Sequence, residues 1–129
     1  MKMKRSVILA ITLILLAGSA AAEWVRVAGS DDDADYVDFD TLTVNSEFRR
    51  IWSVRDMKRP TKQGTRSYRN YIEFDCKEKR NRFLQMDSFA GSMGSGELSE
   101  PQSRSFVWTY LAPGTIGMTF LNQVCTRNS

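Results

Sequence analysis

The sequence lacks histidine, and its 129 residues include only two cysteines and three prolines. Histidine is the commonest general base in enzymes and the commonest metal ligand, so its absence removes the usual ways to activate a nucleophile or hold a metal ion. Ser88 and Ser92 also stand outside any Gly-x-Ser-x-Gly elbow. A lysine-activated serine or a carboxylate pair such as Asp75 and Asp87 is the only catalytic arrangement left open. We therefore predict a non-enzymatic protein without a cofactor or a bound metal.

A long hydrophobic run is absent as well. The apolar segment 7–17, interrupted only by Thr12, is too short to span about 30 Å of hydrocarbon comfortably, which disfavours a transmembrane anchor. It follows three basic residues and precedes the small residues 18–22, the pattern of a secretory signal peptide. We predict a signal peptide over residues 1–22 and one domain over 23–129. No cysteine lies near the cleavage site, so we expect an exported protein, periplasmic or secreted, without a stable membrane anchor.

The two cysteines, Cys76 and Cys125, allow a single pairing. Thiols tend to form disulfides in an oxidising compartment, and a 49-residue loop closed in this way adds roughly 4 kcal/mol of stability. The alternatives are a redox site or a zinc site. The chain has neither a Cys-x-x-Cys motif nor a histidine to complete a zinc site, so we predict a structural disulfide.

Charge is balanced overall but strongly segregated along the chain. Beyond the signal peptide there are 15 basic and 15 acidic residues, which disfavours a nucleic-acid partner. Residues 23–47 carry one basic and eight acidic side chains, whereas residues 49–82 carry twelve basic and four acidic ones. Planar guanidinium groups suit acidic partners. The predicted partner-binding residues are Arg49, Arg50, Arg55, Lys58, Arg59, Lys62, Arg66, Arg69 and Tyr71.

Two readings of this basic region stay open. The basic side chains can dock a protein partner, or they can form ion pairs with the acidic segment 31–40 and only keep the protein soluble. Tyr71 falls on the outward parity of its strand, which suits a contact surface, a dimer interface or a position beneath another strand. The clustered carboxylates of the acidic turn 31–35 suit calcium, but Tyr36 and Leu42 occupy the positions where an EF-hand needs glycine and glutamate. A weak calcium site and a solvated turn are the two alternatives.

Alternation of apolar and polar residues predicts six strands, over 24–28, 36–40, 47–57, 67–77, 82–89 and 105–111. The Gly- and Ser-rich segment 91–96 is predicted to be a mobile loop. After Pro113 and Gly114 the period becomes helical, and Thr115 is placed to cap the helix N-terminus. The predicted fold is α+β, an antiparallel sheet of about six strands with a C-terminal helix on one face and one disulfide.

Several motifs carry a resemblance to a known family. They are Tyr-Val-Asp-Phe-Asp at 36–40, Ile-Trp at 51–52, Glu-Phe-Asp-Cys at 73–76, and Trp108, Pro113, Gly114 and Cys125. With these motifs the chain resembles the surface-adhesin protein E family over residues 24–125. The resemblance implies a six-stranded antiparallel sheet, a helix tied to it by the cysteine pair, a tendency to form homodimers, and binding of host extracellular-matrix or serum proteins.

These observations together predict an exported binding protein that docks protein partners through a basic and aromatic surface. The alternative is a periplasmic structural or stress-related module that binds a component of the cell envelope.

Overall fold

A computed structural model describes residues 22–128, so the predicted signal peptide lies outside the described residues except for its last residue. The described residues form six strands in a single sheet, a 3₁₀ turn at Ser92–Gly94 and one α-helix at the C-terminal end. Their bounds are β1 Val25–Gly29, β2 Asp33–Asn45, β3 Phe48–Met57, β4 Ser67–Asp75, β5 Arg80–Phe89, β6 Leu98–Tyr110 and α1 Ile116–Cys125. Neither length nor hydropathy allows any helix among the described residues to cross a membrane.

The strands follow one another across the sheet in the order β1-β2-β3-β4-β5-β6, and every neighbouring pair is antiparallel. This meander confirms the predicted α+β fold and supplies the strand order, which the sequence left open. Short connections favour it, because consecutive antiparallel strands need only a turn between them.

Two strands are longer than their alternation pattern predicts. β2 begins within the acidic segment because Asp33 and Asp35 lie beside Arg55 of β3, which offsets the low strand propensity of aspartate. β6 extends back through a polar segment that contains Pro101. As an edge strand, β6 tolerates a proline, since one side of its backbone pairs with no other strand.

The hydrophobic core lies between the sheet and α1. Alternation turns Val37, Ile51 and Phe74 of the central strands toward the helix, where each is fully buried. α1 buries Phe120, Leu121 and Val124 against them, and the rings of Phe74 and Phe120 lie 5.1 Å apart. The Thr115 hydroxyl accepts a hydrogen bond from the Met118 N–H, which confirms the predicted cap.

The disulfide joins the end of β4 to the end of α1. Cys76 follows the last residue of β4 and Cys125 is the last residue of the helix, and their Cα atoms lie 5.8 Å apart. The predicted pairing is confirmed. It fixes the C-terminus of α1 at one corner of the sheet.

The segment 91–96 is a loop, as predicted, but hydrogen bonds anchor it to the sheet. The Ser92 hydroxyl and the Met93 N–H donate to the Asp56 carboxylate, and the Gly94 N–H donates to the Ser67 hydroxyl. Small residues allow this close contact, because they let the backbone turn tightly onto β3 and β4. The loop is therefore hydrogen-bonded to both β3 and β4.

Candidate protein-binding surface

The sheet has one face covered by α1 and one face turned away from the helix. We call the second one the open face. Strand alternation and register place a mixed set of arginine, aromatic and acidic side chains on it. The side chains on the open face include Phe48, Arg50, Trp52, Arg69, Tyr71, Glu73, Asp75, Arg80, Arg82, Asp87 and Trp108.

An aromatic pair lies at the middle of the open face. Trp52 of β3 stands directly opposite Tyr71 of β4, and their rings stack with centroids 5.0 Å apart and an angle of 22° between the planes. The Arg69 guanidinium carbon lies 5.7 Å from the Trp52 ring centroid, within the range of a cation–π contact. Arg50 lies two residues before Trp52 on β3, so an arginine flanks the pair on each side.

A second aromatic group lies nearer the edge formed by β6. Arg80 and Arg82 each place a guanidinium carbon 4.4 Å from the centroid of a Trp108 ring, and Phe48 lies 6.0 Å away. These side chains line a hollow of about 570 Å³ together with Arg50 and Glu73, among others. The sequence placed Trp108 on one side of a strand and among the family motifs, but its two arginine neighbours depend on the register of β5 with β6.

Buried carboxylates hold the arginines of the open face in place. Glu73 accepts hydrogen bonds from Arg50 at 2.6 Å and from Arg82 at 2.8 Å. The Glu73 side chain is 5% exposed, whereas the Arg50 side chain is 48% exposed. The guanidinium groups therefore form the outer layer and the carboxylates the inner one. Two further ion pairs have a buried carboxylate in the same way, Arg80 with Asp75 at 2.9 Å and Arg69 with Asp87 at 3.1 Å.

The pKa values of these carboxyl groups reflect two opposing effects. Burial raises the pKa of Glu73, Asp75 and Asp87, because it disfavours the charged form. Hydrogen bonds and the positive charge of the arginines outweigh burial, and each pKa lies below its ordinary value. The three groups therefore stay ionised down to a pH below their ordinary pKa values.

The nine residues predicted to bind a partner occupy three places in the structure. Arg50, Arg69 and Tyr71 lie on the open face. Lys58, Arg59 and Lys62 are exposed in the loop between β3 and β4. Arg66 ends that loop and donates from its guanidinium to the Met57 carbonyl.

Arg49 and Arg55 lie on the opposite face, because successive residues of a strand point to opposite sides. Arg49 is buried and donates to the Ser46 carbonyl at 2.7 Å. Arg55 forms ion pairs with Asp33 at 3.2 Å and with Asp35 at 3.7 Å. The basic segment of the sequence thus supplies both faces of the sheet rather than one continuous patch.

The sequence profile of the family described as surface-adhesin protein E matches residues 24–126. The chain belongs to the surface-adhesin protein E family. Membership makes it an adhesin-like protein, and this family indicates an exported binding protein rather than an enzyme. No curated protein matches the sequence.

Crystal structures of Haemophilus influenzae protein E share the fold of this surface-adhesin E protein. Crystal form II has a TM-score of 0.66 at 16% identity, and the match covers 84% of this chain and 91% of that one. The selenomethionine form has a TM-score of 0.65 at 18% identity, with 84% and 89% covered. Protein E from a non-typeable strain has a TM-score of 0.63 at 16% identity, with 84% and 79% covered. At such low identity the likeness concerns the fold alone.

The acidic segment of this surface-adhesin E protein does not gather into a metal site. Nowhere in residues 22–128 do three or more carboxylate or cysteine side chains converge in a way that could hold a metal ion. Asp33 and Asp35 instead face Arg55. Asp75 and Asp87 are also separated, because Asp87 lies opposite Arg69, six residues before Asp75 on β4.

Proposed function

We propose that this surface-adhesin E protein is an exported, non-enzymatic binding protein that docks protein partners through its open face and the adjoining loop 58–66. Suitable partners are host extracellular-matrix or serum proteins that present acidic side chains beside an apolar surface. The proposal extends the adhesin-like character of the family to a particular surface of this chain.

The observation that carries the proposal is the stacked pair Trp52 and Tyr71 between two half-exposed arginines. Aromatic residues and arginine are enriched in protein interfaces, where they supply large contact areas and most of the binding energy. The Arg50 and Arg69 side chains are 48% and 43% exposed although each forms an ion pair. A guanidinium has five N–H donors, so each arginine keeps donors available for a carboxylate of the partner.

The loop cations add attraction at longer range. Lys58, Arg59 and Lys62 are exposed, and none of them forms an ion pair within the described part of the chain. Unpaired surface charges of one sign mainly accelerate association with an oppositely charged partner, and salt screens them. We therefore expect partner binding to weaken as salt concentration rises.

Reversing the three loop charges tests the electrostatic contribution to partner binding. The variant Lys58→Glu/Arg59→Glu/Lys62→Glu should bind purified extracellular-matrix or serum proteins about tenfold more weakly at about 0.05 M salt. Because these side chains are exposed and unpaired, the circular dichroism spectrum should not change. Surface plasmon resonance against a panel of such proteins measures the effect.

The matched control is Lys77→Glu/Lys79→Glu/Arg127→Glu, which changes the net charge equally at exposed positions away from the open face. It should retain most of the binding. Equal losses in both triple variants, or binding insensitive to salt, would contradict the assignment of this surface. Absence of binding by the unmodified protein across the panel would contradict the function itself.

The variant Tyr71→Ala tests the aromatic contacts of the proposed docking surface. Removing the ring that stacks on Trp52 should weaken partner binding by about 2 kcal/mol, the size typical of an interface hot spot. Tyr68→Ala is the matched control, because Tyr68 lies on the same strand with the opposite parity and faces the helix side of the sheet. If Tyr68→Ala lost as much binding as Tyr71→Ala at equal folded fraction, the open face would not be the docking surface.

Export and assembly complete the proposal. The signal peptide predicted over residues 1–22 and the disulfide both favour the periplasm or the cell exterior. A homodimer is favoured by the edge strand β6, where Phe106 is 59% and Val107 is 72% exposed. An edge strand with exposed apolar side chains is suited to pairing with a second copy of the chain.

A further inference from the structure

The face covered by α1 contains a cavity of about 410 Å³ beside the helix. Strands β2 to β5 form its floor, with Asp35 as the lining residue from β2, and the first turns of α1 form one wall. The cavity is partly open to solvent. Much of its lining is apolar and comes from Ile72, Phe83, Met86, Ile116 and Phe120.

Two polar atoms in this cavity are buried without a hydrogen-bond partner anywhere in residues 22–128. They are Asn70 Oδ1 and Asp35 Oδ2, and Asn70 is only 6% exposed. The Arg55 Nη1 atom is 3.7 Å from Asp35 Oδ2, too far for a hydrogen bond. Buried polar groups in folded proteins are nearly always paired with protein or ordered water, so two unpaired acceptors in one cavity require a bound hydrogen-bond donor, either a ligand or water.

The charges around the cavity favour a cation. Among residues 22–128, Asp35 and Arg55 are the only charged residues that line it, and Asp33 also forms an ion pair with Arg55. Two carboxylates and one guanidinium leave a single negative charge when all are ionised. Burial raises the pKa of Asp35 and the positive charge of Arg55 lowers it only in part, so the ionised carboxylate lacks full compensation.

The N-terminal turn of α1 acts in the opposite sense, because the helix dipole favours an anion there. Its effect is weaker, since the Met118 N–H already donates to Thr115 and the unpaired atoms of the cavity are both acceptors. A carboxylate or phosphate would bring further acceptors to a site that needs donors. An anionic ligand is therefore disfavoured.

The register of the strands sets the spacing between the two acceptors. Asp35 pairs with Arg55, which pairs with Tyr68, and Asn70 lies two residues beyond Tyr68 on β4. The two residues are therefore separated by two strand spacings across the sheet and by two residues along the strand direction. This separation places their Cα atoms about 12 Å apart. One ammonium group does not reach both acceptors, so the ligand needs a donor at each end of an apolar body.

We propose that this cavity binds a small amine whose ammonium group contacts Asp35 and whose apolar body packs on Phe83 and Phe120, with a second O–H or N–H donor directed at Asn70. This site lies on the side of the sheet opposite the docking surface. The proposal of an amine site is therefore independent of the proposed function and is tested separately.

Tyramine is a suitable probe, because an aromatic ring separates its ammonium group from a phenolic O–H. Titration calorimetry with the full domain should show saturable binding at one site. Phenethylamine lacks the hydroxyl, and 3-(4-hydroxyphenyl)propionate has a carboxylate in place of the ammonium group. Each should bind about tenfold more weakly than tyramine. Equal binding of the carboxylate analogue, or no binding of tyramine, would overturn the proposal, and the second result would mean that water occupies the site.

The variant Asp35→Asn separates loss of the site from loss of the fold. It should abolish tyramine binding, while the unfolding midpoint at neutral pH stays unchanged or rises because a poorly compensated buried charge is removed. Asp32→Asn, at an exposed position outside the cavity lining, should change neither quantity. Unchanged tyramine binding by Asp35→Asn would contradict the proposed contact. The comparison of the three probes uses the unmodified protein and decides the proposal even if the variant folds poorly.

Discussion

Replacing Cys76 and Cys125 together by alanine is expected to lower the free energy of unfolding by about 4 kcal/mol. The disulfide closes a loop of 49 residues that contains β5, β6 and most of α1. Cutting it lets the unfolded chain explore many more conformations, and a domain of this size has little stability in reserve. The melting temperature should fall by roughly 20 °C, as measured by circular dichroism.

The unmodified protein in reductant is the matched control for this variant. The described residues contain no other cysteine, so reduction changes only this bond and should lower stability to the same degree. A loss below about 1 kcal/mol in both cases would show that the bond does not constrain the unfolded chain as the loop length predicts.

The disulfide also explains how a short helix covers the sheet. α1 has ten residues and buries only Phe120, Leu121 and Val124. Isolated helices of this length are marginal in water, so packing and the link at Cys125 must hold it in place. The covalent link lies at the C-terminus of α1, whereas Ile116, Gly117 and Phe120 nearer its N-terminus line the cavity.

Most of the fold followed from patterns within single elements. β4 alternates so regularly that its inward residues, Ile72 and Phe74, could be assigned from the sequence alone. The helix and its Thr115 cap were equally clear, because the period changes after a Pro-Gly turn. Where the sequence failed, as at the start of β2, the deciding contact was an ion pair with Arg55 on another strand.

The candidate site was predictable only in part, because its geometry also depends on contacts between strands. Charge segregation pointed to the segment that contains Arg50, Arg69 and the loop cations, and strand parity placed Tyr71 on the outward face, where the structure has it. However, a count of charged residues along the chain treats Arg49 and Arg50 alike, whereas neighbouring residues of a strand point to opposite faces of the sheet. The pairing of Trp52 with Tyr71 and the cavity beside α1 depend on register and helix position, which a single sequence does not determine.

Replacing Glu73 by glutamine is expected to cost roughly 2–3 kcal/mol of stability at pH 7. The carboxylate is nearly buried and accepts from both Arg50 and Arg82, whereas a glutamine has one acceptor oxygen and no charge. Removing one member of a fully buried ion pair lowers stability by more than this. Here water can still hydrate the two arginines after the substitution, because the Arg50 and Arg82 side chains are 48% and 26% exposed. Urea denaturation measures the difference, and Glu97→Gln, at an exposed position, is the control.

The pH dependence of this loss identifies its electrostatic origin. Burial raises the pKa of Glu73, but its hydrogen bonds and ion pairs with Arg50 and Arg82 outweigh burial and lower it overall. A carboxyl group with a lowered pKa in the folded state contributes stability above its ordinary pKa of about 4.3, and that contribution disappears as the pH falls through the lowered value. The difference between the unmodified protein and Glu73→Gln should therefore be full at pH 7 and shrink below about pH 4. A difference that stays constant down to acid pH would mean that the shape of the side chain, and not its charge, holds the two arginines beside the aromatic residues of the open face.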